Sequence, residues 1–326
     1  MENKKEITFK IDWMAITIWG TDDYAQYFWQ DFLLEYLGDV ISKGHGGRGF
    51  REIGVALASA KLYTSPVNDG LANYFHIELP GSACAAIPPI VMSEMVRELQ
   101  LREEIEGLKY KVTRLDLAWD GISCTPDEFL EAVEKDYIRS LAKRETLDVR
   151  RSPFKEKEDG SSMGTTTVYL GSRTSTRSVR VYDKRGYTRL ELETRKERAD
   201  LIARIVLVGL PEDWADMAIG HLRDYMDVFK DDEKEEMAEW WEELVTGLVR
   251  AYLTVSSAAD VELVRIERWM VKQVAPALSV LMDTVGEGVL DTMIAWGRHK
   301  RGDRYKHILN NIKPAPDFEY QQGRMI

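Results

Sequence analysis

Three short stretches that largely alternate charged and apolar residues constrain this chain more than any other feature. They are Arg114-Leu115-Asp116-Leu117-Ala118-Trp119-Asp120; then Val179-Arg180-Val181-Tyr182-Asp183-Lys184, which follows Gly171-Ser172-Arg173; and Arg189-Leu190-Glu191-Leu192-Glu193-Thr194-Arg195. Successive side chains of a β-strand point to opposite faces. Arg114, Asp116, Ala118 and Asp120 therefore share one face, with Leu115, Leu117 and Trp119 behind them. The same parity groups Arg189, Glu191, Glu193 and Arg195 over Leu190 and Leu192. The three segments predict strands whose polar face carries four carboxylates, several arginines and one phenol. The plainer reading of such a face is a solvated surface with cross-strand ion pairs, on which Tyr182 is packing.

The chemical reading starts from the carboxylates. Their oxygens are the hard ligands that Mg²⁺ or Mn²⁺ prefers, and such an ion polarises a phosphoryl oxygen and offsets the charge developing on it. A phenol ordinarily titrates near pH 10, so Tyr182 needs activation before it can attack anything. Alternation puts Arg180 and Lys184 on its face, where their charge is expected to lower its pKa. Arginine also grips two phosphate oxygens at once. The pattern thus points to metal-assisted phosphodiester chemistry with a tyrosine nucleophile. The five histidines form no His-hydrophobic-His pair, which argues against a histidine-ligated metal. His76 and Glu78 share a strand face; Glu78 reads as a further ligand or His76 as an ordinary strand residue.

The order R-L-D-L-A-x-D, G-S-R-x-S, R-V-Y-D-K, R-L-E-L-E-x-R resembles the replication initiation proteins of rolling-circle plasmids and the related DNA relaxases of integrative conjugative elements. The resemblance extends to Ile11-Asp12-Trp13-Met14-Ala15-Ile16-Thr17 and His76-Ile77-Glu78-Leu79-Pro80-Gly81, and covers roughly residues 7 to 200. It implies that Tyr182 nicks one DNA strand and stays joined to the 5′-phosphate. It also implies that Asp116, Asp120, Glu191 and Glu193 hold the Mg²⁺ or Mn²⁺. Arg173, Arg180, Lys184 and Arg189 would then position or neutralise phosphate. The implied partners are plasmid or mobile-element origin DNA, single-stranded at the nick site, a host helicase, and a second copy of the chain. One departure is that the family's S-G-Q-G-C-R is here Pro80-Gly81-Ser82-Ala83-Cys84-Ala85.

Charge is the main objection to a DNA-binding reading. Acidic residues outnumber basic ones, 55 to 44, for a net charge of −11, whereas nucleic-acid binders often carry a basic excess. The distribution eases the conflict. Ser172 to Arg185 holds five Lys or Arg and one acid, and Arg298, Lys300, Arg301, Arg304 and Lys306 form a second basic cluster. The acids gather instead from Asp231 to Glu243, apart from the basic site. Two cysteines are too few for a disulfide framework. No apolar run approaches the ~20 residues of a membrane span, and the first residues lack a signal peptide's apolar segment. The expectation is a cytoplasmic protein without membrane association.

Along the chain, a strand over 7–19 precedes a helix over 24–37, capped by Asp22 or Asp23. Gly44 to Gly49 reads as a hairpin connection or a phosphate-meeting loop. Strands near 50–64 and 72–79, a helix near 91–106 and the Asp116 strand follow. Thr125-Pro126-Asp127-Glu128 opens a capped helix; a polar connection spans 151–164, and after the three-strand region a helix covers about 194–208. These elements predict an α+β fold of two related halves, about 1–122 and 123–208, with mainly antiparallel sheets whose faces form a saddle or cleft. Residues 1–208 would be the DNA-nicking domain and 209–326 a helical one, with Leu244, Leu248 and Tyr252, then Val264, Ile266, Trp269, Met270 and Val274, at helical spacing. Trp240-Trp241 reads as base-stacking or as core.

The expected activity is that of a metal-dependent DNA strand-transferase. It would nick and religate one strand of origin DNA through a covalent 5′-phosphotyrosine, initiating rolling-circle replication or conjugative transfer. The alternatives are a sequence-specific DNA-binding regulator on the same scaffold and a non-enzymatic structural protein.

Overall fold

The computed structural model describes residues 7–67, 73–152, 155–156, 162–163, 165–172, 174–184, 186–245, 274–286 and 288–300. The chain divides into two compact units, Met1–Tyr252 and Leu253–Ile326.

The first unit is built on one ten-stranded sheet. Its amino-terminal half runs β1 (Thr8–Ile18), α1 (Asp22–Phe32), α2 (Leu34–Leu37), β2 (Ile41–Ser42), β3 (Phe50–Val55), β4 (Lys61–Pro66), β5 (Phe75–Pro80), α3 (Gly81–Ala86), α4 (Pro89–Glu106). The second half runs β6 (Tyr110–Ile122), α5 (Pro126–Glu134), β7 (Ile138–Ser140), β8 (Asp148–Arg151), β9 (Lys155–Glu156), β10 (Ser162–Met163), β11 (Thr166–Leu170), β12 (Arg177–Asp183), β13 (Thr188–Arg195), α6 (Lys196–Val206). The strand order is β2-β3-β4-β5-β1-β6-β13-β12-β11-β8, and each neighbouring pair is antiparallel. The sheet falls into two halves, each of which lays its last strand beside its first and works outward, but their boundary precedes Tyr110 where the sequence reading put it at 122, because β6 opens the second half. Their strands do not make two sheets; β1 and β6, the first strand of each half, pair along their length and fuse them into one.

One face of the sheet is the core. Leu115, Leu117, Trp119, Val179, Val181, Leu190 and Leu192 are all buried at 1% exposure or less, each contributing about 1.5–3 kcal/mol by leaving water. Helix α6 packs on β6 and β13, and α5 on β11 and β12. The parity read from the sequence is thereby met, with Arg114, Asp116 and Asp120 on the opposite face.

Local details depart from the sequence reading. Thr21, not Asp22 or Asp23, caps α1, its hydroxyl accepting from the Tyr24 amide at 3.2 Å. The single helix expected over 24–37 breaks at Leu33, whose φ of −121° is not helical. The strand expected over 50–64 is a hairpin turning at Ala58 and Ser59, both at positive φ. Gly44 to Gly49 lies in the connection from β2 to β3. The capping box at Thr125 and Glu128 is formed.

The compact unit does not end at 208. Helix α7 (Trp214–Tyr225) packs on α6, and β14 (Met226–Val228) pairs with β7. The Trp241 indole, on α8 (Glu239–Val245), is fully buried and donates to Asp227 Oδ1 at 3.2 Å, which makes it core; Trp240 packs edge-on against Phe129. The boundary expected at 208 is not found, because α7 and β14 complete a core that begins in β7 and α6. Of the second unit, helices Ala275–Val285 and Gly288–Lys300 are described. Leu248, Tyr252, Val264, Ile266, Trp269, Met270, Arg301, Arg304 and Lys306 lie outside the described residues. No helix among the described residues is long and apolar enough to cross a membrane, and both thiols, Cys84 and Cys124, are free and buried.

Burial lowers His76 and His221 to a pKa of about 4 each, against 6.5 in an unfolded chain. Between those values the unfolded state takes up protons that the folded state refuses, so stability present above pH 6.5 should be lost as pH falls toward 4. Urea unfolding at pH 7, 6 and 5 checks this: the midpoint should fall with pH, and less so in His221→Phe.

Candidate functional site

On the open face, register decides which side chains meet. Asp116 on β6 lies between Trp13 on β1 and Glu193 on β13. Ala118, the small residue two positions on, faces Glu191, and Asp120 faces Arg189. Across the next seam Glu191 faces Arg180, and Arg189 faces Tyr182. The residues singled out by parity thus form one patch.

Every carboxylate in it is held by a guanidinium. Arg114 grips Asp116 with both arms, Nε to Oδ1 at 3.0 Å and Nη2 to Oδ2 at 2.6 Å, and reaches Glu193 Oε2 at 3.1 Å. Arg180 bonds Glu191 Oε1 and lies 3.9 Å from Asp116. Arg195 bonds Glu193 at 2.5 Å. Asp120 stands somewhat apart, clamped by Arg189 and Lys10.

Tyr182 sits at the junction. Its hydroxyl donates to Glu191 Oε2 at 3.1 Å, Arg189 Nη1 approaches it at 3.4 Å, and the Arg180 guanidinium lies 5.5 Å from its ring centre. Contrary to the sequence expectation, the neighbouring cations do not bring its pKa below the ordinary value. Burial, with Glu191 adding to it, raises the phenol above its ordinary value and outweighs Arg189 and Arg180. Asp116, wholly buried, is likewise raised, first by desolvation, which with Glu191 and Glu193 nearby overcomes the help of Arg114. Asp120 goes the other way: burial would raise it, but hydrogen bonds from Arg189 and Lys10 hold it below the usual range. Burial lowers the Lys184 amine despite Asp12 at 3.7 Å.

Arg189, read from sequence as a phosphate grip, has no exposed surface. It braces Asp120 on one side and Asp12 on the other, Nη1 to Oδ1 at 2.5 Å. Arg173 lies outside the described residues.

Asp12, Lys10, Arg114 and Arg195 are the site residues that the candidate set missed. Asp12 sits at a register shift between Ile11 and Trp13, a bulge that turns its carboxylate toward Arg189 and Lys184. The one signal was an acid inside the apolar run Ile11 to Ile16; the bulge itself leaves no mark in a sequence. Gly81 serves the same placement, since a Cβ there would stand 2.7 Å from Asp12 Oδ1. Gly171, at φ +112°, admits the Tyr225 hydroxyl, which a Cβ would meet at 2.5 Å.

Among the described residues no three His, Cys, Asp or Glu side chains converge on a point that would hold a metal ion, because the oxygens of Asp116 and Glu191 turn to arginines. The donor set still suits Mg²⁺ or Mn²⁺ in kind: three neighbouring hard carboxylates, of which Asp116 and Glu191 are buried and Asp116 resists ionisation.

The sheet face opposite the core thus carries a phenol bonded to a buried carboxylate among arginines. The replication initiation factor family model matches residues 110–294, more than half of the chain, and the chain belongs to that family. Its fold is similar to that of a rolling circle replication initiator protein from Geobacillus stearothermophilus, at 18% identity and a TM-score of 0.54 over 76% of this chain and 99% of that one. The Methanococcus jannaschii TBP aligns over 61% of this chain and 95% of its own at 12% identity, with a TM-score of 0.24 that carries no weight for the architecture. No curated protein matches the chain in sequence.

Proposed function

We propose that this initiator opens one strand of origin DNA by attack of Tyr182 and later reseals it. The observation that carries the reading is the 3.1 Å hydrogen bond from the Tyr182 hydroxyl to Glu191, in a patch where Arg180 stands ready for phosphate. With its pKa raised, the phenol is protonated at neutral pH, so attack needs a base in contact, and Glu191 is that base. The phenol oxygen bonds to phosphorus while its proton passes to Glu191. The bond from phosphorus to the 3′-oxygen breaks, and that oxygen leaves as a hydroxyl with the proton returned. Resealing runs the same steps backward. Asp116, Glu191 and Glu193 would hold Mg²⁺ or Mn²⁺, which when bound offsets the charge developing on the phosphoryl oxygen. Arg114 and Arg180, released from those carboxylates, would then be free to meet the phosphate, while Asp120 stays paired with Arg189.

Cleavage of a single-stranded oligonucleotide spanning the nick site tests the base. Glu191→Gln should be slower by about 10²-fold or more at neutral pH, with the deficit shrinking toward pH 10 as hydroxide takes over the proton. A deficit constant across pH would make Glu191 a ligand only. A second reading, origin binding without chemistry, draws on the raised phenol pKa and on the arginines that occupy the carboxylates; binding with no covalent attachment under Mn²⁺ would establish it.

A further inference from the structure

The tyrosine and glutamate of the second half have counterparts in the first, at matching register. On β4 and β5 Lys61 faces Glu78 and Tyr63 faces His76; on β12 and β13 Arg180 faces Glu191 and Tyr182 faces Arg189. One strand inward, Glu78 faces Ala15 as Glu191 faces Ala118. The Tyr63 hydroxyl donates to Glu78 Oε2 at 3.0 Å, as Tyr182 does to Glu191 at 3.1 Å.

The copies differ in two places that matter for chemistry. Where Asp116 faces Glu193, the first half has Trp13 facing Pro80, so two of the three clustered carboxylates are gone. Tyr63 is 2% exposed, and its pKa is pushed up to about 12 by burial and by its bond to Glu78. Attack from this phenol is therefore not supported.

Its cations, by contrast, are more accessible. The Arg48 side chain, 62% exposed, lies 5.9 Å over the Tyr63 ring and reaches Glu78 Oε1 at 2.5 Å. Lys61, 37% exposed, stands 3.7 Å from the same carboxylate. Two cations on one buried acid leave positive charge on the open face, where Arg180 at the cutting centre is only 26% exposed.

We propose that Arg48 and Lys61 form a second phosphodiester-binding subsite, a non-cleaving copy of the cutting centre, that grips the backbone of the same DNA strand away from the nick. This rests on reading the Tyr182 half as the cutting centre. Strands β4 and β12 are five steps apart in the sheet, about 24 Å at ~4.8 Å per step. At the duplex rise of about 3.4 Å per nucleotide, that is about seven stacked nucleotides, and fewer where the strand is extended. A short strand centred on the nick cannot reach Arg48, and a long one can.

The test uses the full chain and two single-stranded oligonucleotides carrying the nick site, of about six and about twenty nucleotides, with binding followed by fluorescence anisotropy across a salt series. For the longer strand, Arg48→Ala/Lys61→Ala should weaken binding and flatten the slope of log affinity against log salt by about 1.4, at about 0.7 per lost phosphate contact. For the shorter strand nothing should change. If the double variant misfolds because Glu78 is left buried and unpaired, adding Glu78→Gln removes that charge and keeps a partner for Tyr63. An unchanged slope on the longer strand, or equal losses on both, overturns the subsite. Covalent attachment is read on the same samples: attachment lost in wild type while length dependence persists removes the cutting assignment and keeps the subsite, and attachment without length dependence does the reverse.

Discussion

Tyr182→Phe should abolish the covalent DNA adduct and slow strand cleavage by on the order of 10⁴-fold or more, since it removes the attacking atom and nothing else can take its place. The ring stays under Arg180, and the lost contacts are the hydroxyl's bond to Glu191, worth about 1 kcal/mol, and the longer one it accepts from Arg189. The variant should therefore fold, melt close to wild type and still bind origin DNA. Labelled oligonucleotide incubated with Mn²⁺ and run on a denaturing gel reads the adduct directly. A Phe variant that still acquires the label would remove Tyr182 from the mechanism.

Arg189→Ala should damage stability rather than chemistry. The guanidinium is fully buried and neutralises Asp120 and Asp12 together, so its loss leaves Asp120 with Lys10 and Asp12 with Lys184 alone, at a cost of up to about 3–5 kcal/mol. Chemical denaturation should show that loss, and Asp120→Asn in the same chain should recover part of it by removing one of the two under-compensated charges. The sign with pH follows from Asp120. Its folded pKa is depressed, so the stability it contributes in wild type is present above the unfolded value near 3.9 and is lost as pH falls through the folded one. In Arg189→Ala that acid limb should flatten. If Arg189→Ala unfolds at the wild-type midpoint but releases DNA, the residue is a phosphate grip after all and the brace is wrong.

These two residues also mark how far the sequence could be read. Parity alone placed Asp116, Asp120, Glu191, Glu193, Tyr182 and Arg180 on one face, and it did so because side-chain alternation is a local property of any strand. The partner of each residue across the seam is not local. That Asp120 faces Arg189 while Asp116 faces Glu193 depends on strand order and register, set by turns and by packing on the other face. The same limit hid Asp12, whose bulge re-aims a side chain by one residue. The sign of the Tyr182 shift was missed for a different reason: charge neighbours can be counted in a sequence, but the water excluded by folding cannot, and here desolvation is the larger effect. The existence of two halves was legible from repeated element order, but not their boundary, since only the pairing with β13 assigns β6 to the second. Their fusion into one sheet, and the continuation of the first unit past residue 208, were not, because both depend on pairings between distant segments.

The seam between β1 and β6 bears on how such a protein can move. Its hydrogen bonds run from the Thr8–Asp120 pair to the Ile18–Tyr110 pair, joining the halves by a ladder where a linker might have been. A hinge needs a few residues free to change φ and ψ, and along this ladder each such change would break sheet bonds. Pivoting of one half against the other is therefore closed to this fold. A nucleic acid laid across both halves would have to supply the bending itself, so sequences that kink or unpair cheaply would be preferred even at positions no side chain touches.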